Sequence, residues 1–337
     1  MDWFEKLTGF REAGYEETRA RLAVEDGKLI SRANGARYGI GALELVSLQA
    51  LRDRAQSGGA LAGKIKMSVV RGDARGMHRS PENAGALFQV ASQFNLLEMA
   101  SPDITPEQGV TRYQSDPTQG PACAMAAGAA TIYRNYLAPV GGSPGQTAKR
   151  QLDGLADVGE ALSRATKLPV GDLWTMQNGY ALGRQVGLRA IAQYLGTLAD
   201  DPMDILRGKL RIGLHRDVEV TDAAGPDRPH VSQAFCSALP VAYTPVPPMH
   251  WEPFALLVLE AAYEATLWAA VLNAQRGISN VAFLTLLGGG AFGNRSTWIH
   301  AALRRALTLL TAYNLDVRLV SYGTPSQEIV AIAKEFR

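Results

Sequence analysis

Residues 281–307 read VAFLTLLGGGAFGNRSTWIHAALRRAL. An apolar run, Val281–Leu287, enters the stretch Gly288-Gly289-Gly290-Ala291-Phe292-Gly293-Asn294, and a helical pattern opens near Ser296. A strand that ends in glycines and turns into a helix presents backbone N–H groups and a partly positive helix start. A diphosphate needs that combination. Glycine is required there because a Cβ blocks close approach of the anion or forbids positive φ. The plain alternative is a tight strand-to-helix turn with no ligand. The loop fits neither GxxxxGK[ST] nor GxGxxG, which argues against an ATPase and against a dinucleotide-binding domain. Phe292 favours a ligand, since an aromatic ring inside a glycine loop is best used by stacking on a ligand ring.

Other residues with chemical potential carry weaker signals. His215, in LRIGLHRDVEV, sits in a strand pattern and reads as structural; His230 and His250 lie near prolines and read as loop residues. The two cysteines, Cys123 and Cys236, are far apart and form no CxxC pair, so neither a zinc site nor a disulfide framework is expected. Cys123 falls in an alanine-rich segment and reads as a small core residue. Ser237 has no Gly-x-Ser-x-Gly elbow around it. No metal or cofactor is called for.

These residues must be placed by 337 amino acids, 47% hydrophobic and 20% charged, ample for a core. The net charge of +2 and the lack of a long Lys/Arg run give no support to a broad nucleic-acid surface. The acidic start, MDWFEKLTGFREAGYEE, lacks the features of a secretory signal. Trp251–Asn273 comes closest to an apolar span, but Glu252, Glu260 and Glu264 interrupt it, so a buried helix is expected rather than a membrane segment. A cytoplasmic setting is the default expectation.

Strand patterns occur at Lys64–Arg71, Ala86–Phe94, Lys209–Val220, 281–287 and 317–322, and helical patterns at Leu43–Arg54, Pro121–Tyr136, 147–165, 180–199, 251–273 and 295–313. Asn34-Gly35 marks a turn between two short strand-like pieces. Strands and helices alternate through the second half, which predicts an α/β fold: a sheet with parallel strands and helices on both faces. Residues 1–60 read as an N-terminal accessory segment and 61–337 as the main domain.

The glycine loop, the helix 295–313 and the strand end LVSYG (Leu319–Gly323) resemble, in that order, the macrodomain superfamily, and the loop is most similar to that of poly(ADP-ribose) glycohydrolase. Upstream, VVRGD (Val69–Asp73) precedes FQVASQFN (Phe88–Asn95), as a strand with Gly-Asp precedes an Asn-containing strand end in that superfamily. The resemblance covers roughly 64–138 and 209–323 and makes about 147–200 a helical insertion. It implies a three-layer α/β/α mixed sheet and an ADP-ribose or ADP-ribosylated ligand. Asp73 would accept from the adenine amino group and Asn95 would touch the distal ribose. Gly288, Gly289, Gly290, Ala291, Gly293 and Asn294 would hold diphosphate, and Phe292 would lie against the ribose. The glycohydrolase also carries a GGG stretch and a Gln-Glu-Glu motif soon after its Asn. This sequence has neither, so the resemblance assigns no catalytic carboxylate.

Glycosidic cleavage requires a carboxyl group near the anomeric carbon. Glu98, Glu107 and Asp116 are the nearest in sequence, and Glu98, three residues past Asn95, is favoured; each reads otherwise as a solvated loop acid. Gln119, at a helix start, could orient water or a ribose hydroxyl, or simply cap the helix. Arg112 and Tyr113 share that loop. The candidate catalytic set is Glu98, Asp116 and Gln119, and the expected activity is ADP-ribosyl glycohydrolysis. The alternative is a binding module for ADP-ribose or a related nucleotide, without turnover.

Overall fold

The computed structural model describes residues 1–59 and 61–337. The chain begins with helices α1 (Trp3–Thr8) and α2 (Tyr15–Ala20) and a three-stranded meander, β1 (Leu22–Glu25), β2 (Lys28–Ser31) and β3 (Arg37–Gly39). The Asn34-Gly35 turn joins the last two of these strands, as its sequence predicts. The main sheet then starts, earlier than the expected boundary at residue 60. Leu43–Arg54, expected as one helix, is strand β4 (Ala42–Ser47) followed by helix α3 (Leu48–Ser57). Ser47 makes the switch, because its hydroxyl accepts from the Ala50 N–H and caps the helix.

The sheet continues with β5 (Lys66–Arg71), helix α4 (Ala74–Arg79) and β6 (Leu87–Ala91). The alanine-rich segment is two helices, α5 (Gln119–Ala126) and α6 (Gly128–Tyr136), broken at Ala127. Gly128 donates its N–H to the Thr221 hydroxyl there, so the break satisfies a backbone donor that the helix ends leave over. A short pair, β7 (Pro139–Val140) and β8 (Ser143–Pro144), leads to the insertion. Its helical reading holds for α7 (Ala156–Thr166) and α9 (Gln185–Leu195), while α8 (Val170–Leu173) and α10 (Asp200–Gly208), the latter past its expected end, are additional helices. Between α8 and α9 lies an unexpected hairpin, β9 (Trp174–Gln177) and β10 (Tyr180–Gly183). Its turn is Asn178-Gly179, with both residues at positive φ, the Asn-Gly pairing that a two-residue hairpin turn favours.

Strands β11 (Arg211–Glu219) and β12 (His230–Cys236), helix α11 (Pro248–Gln275), β13 (Val281–Leu284), helix α12 (Ser296–Leu309), β14 (Asp316–Ser321) and helix α13 (Gln327–Glu335) complete the chain. The seven-stranded sheet has the order β4-β11-β12-β6-β13-β14-β5. Five neighbours, β12 to β5, are parallel, and β11 runs antiparallel to both of its partners. Alternate side chains face opposite layers. Leu87, Ala234, Cys236, Ala282 and Leu284 meet α11 and α12, while Phe88, Val90, Phe235 and Phe283 meet α4, α5 and α6. The result is a mixed sheet between two helical layers, the three-layer α/β/α class expected. Helix α11 is long and apolar enough to cross a membrane by length and composition, and 83% of its most apolar window is buried inside the molecule. It is apolar all round because it is the central helix of its layer.

The N-terminal segment braces one loop. The Glu12 carboxylate accepts from the N–H groups of Val110 (2.8 Å) and Thr111 (2.7 Å) and from the Tyr136 hydroxyl (2.7 Å). Trp3, Phe4 and Leu7 pack with Leu97, Met99, Val110 and Tyr113 of that loop. Glu12→Ala should cost about 1–3 kcal/mol, the penalty of leaving partly buried donors unpaired. Urea unfolding will measure it, and amide exchange should quicken at 98–116 before it quickens in the sheet.

Candidate functional site

Because β12, β6, β13, β14 and β5 are parallel, their carboxyl ends lie on one edge, where α/β sheets bind ligands. The segments leaving β6, β12 and β13 enclose a cleft of about 240 Å³. Ser92 and Gln93 line it after β6, Ala238 after β12, and Thr285–Gly288, Gly290, Ala291 and Phe292 after β13; Glu98, Asp116 and Gln119 close it from the braced loop and α5. The three catalytic candidates and four of the glycine-loop residues thus share one cavity.

Glu98 is 2% exposed. Its Oε1 lies 3.4 Å from Nη2 of Arg134, its backbone N–H donates to the Tyr113 hydroxyl at 3.0 Å, and its Oε2 has no partner among the described residues. Burial pushes the Glu98 carboxyl up to about 7, and Arg134 together with the neighbouring Tyr113 hydroxyl only partly opposes that shift. A carboxyl of this kind exchanges a proton near neutral pH. Asp116 is half-buried, and its Oδ1 accepts from the N–H and the hydroxyl of Thr118 (2.9 and 2.6 Å). Gln119 is engaged at both ends of its amide: Nε2 donates to the Gln89 carbonyl (2.8 Å) and Oε1 accepts from the Ala91 N–H (2.9 Å). It acts as a strut that continues the β6 ladder into α5.

The glycine loop separates two uses of glycine. Gly288 and Gly293 have φ of 75° and 72°, and a Cβ would stand 2.4 Å from Ala238 Cβ at the first and 2.8 Å from Ala242 Cβ at the second. Both serve the turn. A Cβ on Gly290 would meet nothing within 4 Å. Gly289, Gly293 and Asn294 give their N–H groups to Leu286, Gly290 and Gly288. Among the described residues, the N–H groups of Gly288, Gly290, Ala291 and Phe292 have no acceptor, and these four line the cleft.

Phe292 packs with Tyr180 and Tyr243, ring centroids 5.3 and 5.6 Å apart, to make an aromatic wall. Tyr180 comes from the β9–β10 hairpin, and its hydroxyl donates to the Met99 carbonyl, fixing the chain just past Glu98. Sequence reasoning missed both tyrosines; the signal for Tyr180 was the Asn178-Gly179 turn beside it. Arg134 was missed as well, since one arginine in an alanine-rich helix reads as a surface residue.

Five predicted ligand residues stand outside the cleft lining: Asp73, Asn95, Gly289, Gly293 and Asn294. Asp73 is exposed and caps α4, with its carboxylate accepting from Arg75 (3.2 Å) and Gly76 (2.9 Å). Strand β6 stops at Ala91, so Asn95 falls in the following turn, where Nδ2 donates to Gln151 and Oδ1 accepts from Leu97. Asn294 is buried, and its amide donates to the Leu239 and Gly288 carbonyls, closing the glycine loop from behind. Glu107 accepts from the Ala148 N–H away from the cleft. Cys123, Cys236 and His215 are buried, and burial holds both thiols protonated and His215 neutral. Among the described residues, no group of three or more His, Cys, Asp or Glu side chains is placed to hold a metal ion.

No protein-family model matches the chain, and no curated protein matches it in sequence. The solved structures similar to the chain include poly(ADP-ribose) glycohydrolases. Poly(ADP-ribose) glycohydrolase from Deinococcus radiodurans in complex with ADP-ribose is 12% identical, with a TM-score of 0.43 over 87% of this chain and 93% of that one. The Thermomonospora curvata glycohydrolase is 14% identical, with a TM-score of 0.40 over 92% and 94%. The same enzyme bound to the inhibitor ADP-HPD is 13% identical, with a TM-score of 0.37 over 88% and 85%.

The two classes of glycine give opposite expectations for stability. Gly290→Ala should change it by no more than about 0.5 kcal/mol, as at an open surface position. Gly288→Ala should cost at least about 1–3 kcal/mol, from strained φ plus the clash with Ala238. Thermal unfolding of the two variants side by side checks the assignment.

Proposed function

We propose that the chain is an ADP-ribosyl glycohydrolase: it holds the diphosphate of an ADP-ribosyl group on the glycine loop and cleaves the glycosidic bond at the distal ribose. One observation carries this reading. A buried carboxyl group, Glu98, and four loop amides without an acceptor among the described residues line the same cleft. Amides without acceptors favour an anion, and a carboxyl titrating near 7 favours proton transfer next to it. The aromatic wall offers an apolar face for the ribose between them. Tyr322, 92% exposed just past β14 on the same edge, offers a ring on which a base could stack outside the cavity.

In this mechanism protonated Glu98 gives its proton to the leaving oxygen as the anomeric C–O bond breaks. Water adds to the resulting oxocarbenium-like carbon, and its proton returns to the Glu98 carboxylate. Asp116, the second carboxyl group that lines the cleft, would orient that water. Gln119 keeps α5 against β6 and holds no substrate.

Glu98→Gln should leave ADP-ribose affinity within a few fold and cut turnover by about 10²–10⁴. In the wild type only the protonated acid starts the reaction, so kcat should fall as pH rises through about 7. Gly290→Val should weaken ADP-ribose binding strongly with little loss of thermal stability, because its side chain enters the anion's space. Calorimetry and release of ADP-ribose from an ADP-ribosylated protein check these outcomes. Tight binding with no turnover in the wild type would make the chain a binding module, and unchanged affinity in a folded Gly290→Val would end the phosphate-loop reading.

A further inference from the structure

Arg134 is fully buried on α6, beneath the cleft and outside its lining. Its Nε donates to the Leu96 carbonyl (3.1 Å), and Nη2 reaches both the Thr131 hydroxyl (3.1 Å) and Oε1 of Glu98 (3.4 Å). The guanidinium lies over the Phe235 ring, 3.9 Å from its centroid. Four contacts, two on the segment after β6, one on α6 itself and one on β12, fix one rotamer. Such a planar fork cannot follow a wandering carboxylate, so the carboxylate must come to it.

We infer that Arg134 is the positioning residue for Glu98: it engages Oε1, leaves Oε2 as the oxygen without a partner among the described residues, and keeps the ionised form of a buried carboxyl within reach. This inference rests on the reading of Glu98 as the acid–base group. The other titratable groups facing the pair cannot substitute for it. Tyr113 stays neutral, because burial raises its hydroxyl well above the usual range. Cys123 of α5 stays a thiol for the same reason. His215 of β11 faces Arg134, and burial together with that cation keeps it uncharged. Asp116, which also lines the cleft, brings no positive charge. Arg134 is therefore the one cation facing Glu98 among the described residues. Without it, the carboxylate left after proton donation has no counter-charge, and the proton does not leave.

The test follows the carboxyl itself. The C=O stretch of protonated Glu98, identified by its loss in Glu98→Gln, is titrated by infrared difference spectroscopy in the wild type, Arg134→Met, Arg134→Lys and Thr131→Val. The midpoint should lie near 7 in the wild type and move up by at least about one pH unit in Arg134→Met, the usual effect of removing a close opposite charge. Arg134→Lys should restore most of the shift, and Thr131→Val, which frees one arm of the fork and also leaves the Ala124 carbonyl without the Thr131 hydroxyl, should show a smaller upward shift. The high-pH limb of kcat should move with each midpoint. An unmoved midpoint in folded Arg134→Met overturns the inference; if that variant does not fold, an unmoved midpoint in Thr131→Val does so. The infrared arm needs no substrate. A shifted midpoint with a stationary kcat limb refutes Arg134's role in turnover while leaving the glycohydrolase reading intact. A shifted midpoint with no wild-type turnover refutes that reading itself.

Discussion

A carboxyl group buried beside a single cation organises this molecule. Water has been removed from Glu98, and an ionised carboxylate there is costly unless its partner is held in place. Much of the nearby structure serves that placement. Helix α6 carries Arg134, and the break at Ala127 allows that helix to start afresh. The Tyr113 hydroxyl holds the Glu98 backbone from one side, and Tyr180 holds the Met99 carbonyl from the other. Tyr113 in turn packs against the N-terminal helix, whose loop places Glu12 on the neighbouring backbone. The N-terminal segment and the insertion thus both hold the stretch of chain around Glu98.

The parallel ladder supplies the second half of the arrangement. Strands β12, β6 and β13 are neighbours in register, so three loops distant in sequence leave the sheet together. Gln119 extends the ladder by standing in for a strand, and this brings the start of α5 against Ala91. Gly120 permits that approach, since a Cβ there would lie 2.0 Å from the Ala91 carbonyl oxygen. The glycine loop then lines the same cleft as Glu98 with four amides that have no acceptor among the described residues. Groups of this kind are tolerated near a surface cleft because water or a ligand can satisfy them.

Much of this was legible in the sequence, for physical reasons that also mark its limits. The strand–glycine–helix unit around 281–309 stands out because its hydrophobic period changes at the glycines. Gly288, Gly290, Ala291 and Phe292 follow from it, and Glu98, Asp116 and Gln119 follow from their place after β6. What the sequence could not rank was which glycines serve the turn. Gly288 and Gly293 answer to Ala238 and Ala242, more than 45 residues away in the chain. Asn95 was placed at a strand end because the apolar pattern runs on to Phe94, yet the pairing stops at Ala91 and Leu96 takes positive φ. Strand β4 was hidden in an apolar run that continues into α3, although Ser47 was a readable cap. Arg134 had no local signature at all, since its meaning comes from Leu96, Glu98 and Phe235 brought over it by the fold.

The claim at the centre is that one ligand engages the glycine-loop amides and the Glu98 end of the cleft together. Backbone amide chemical shifts of the isotope-labelled protein, followed while ADP-ribose is added, test it most directly. The N–H signals of Gly288, Gly290, Ala291 and Phe292 should move together with that of Met99, next to Glu98, along a single binding curve. Loop amides that stay still while signals elsewhere respond, or a loop and a Glu98 region that respond with separate affinities, would contradict the account.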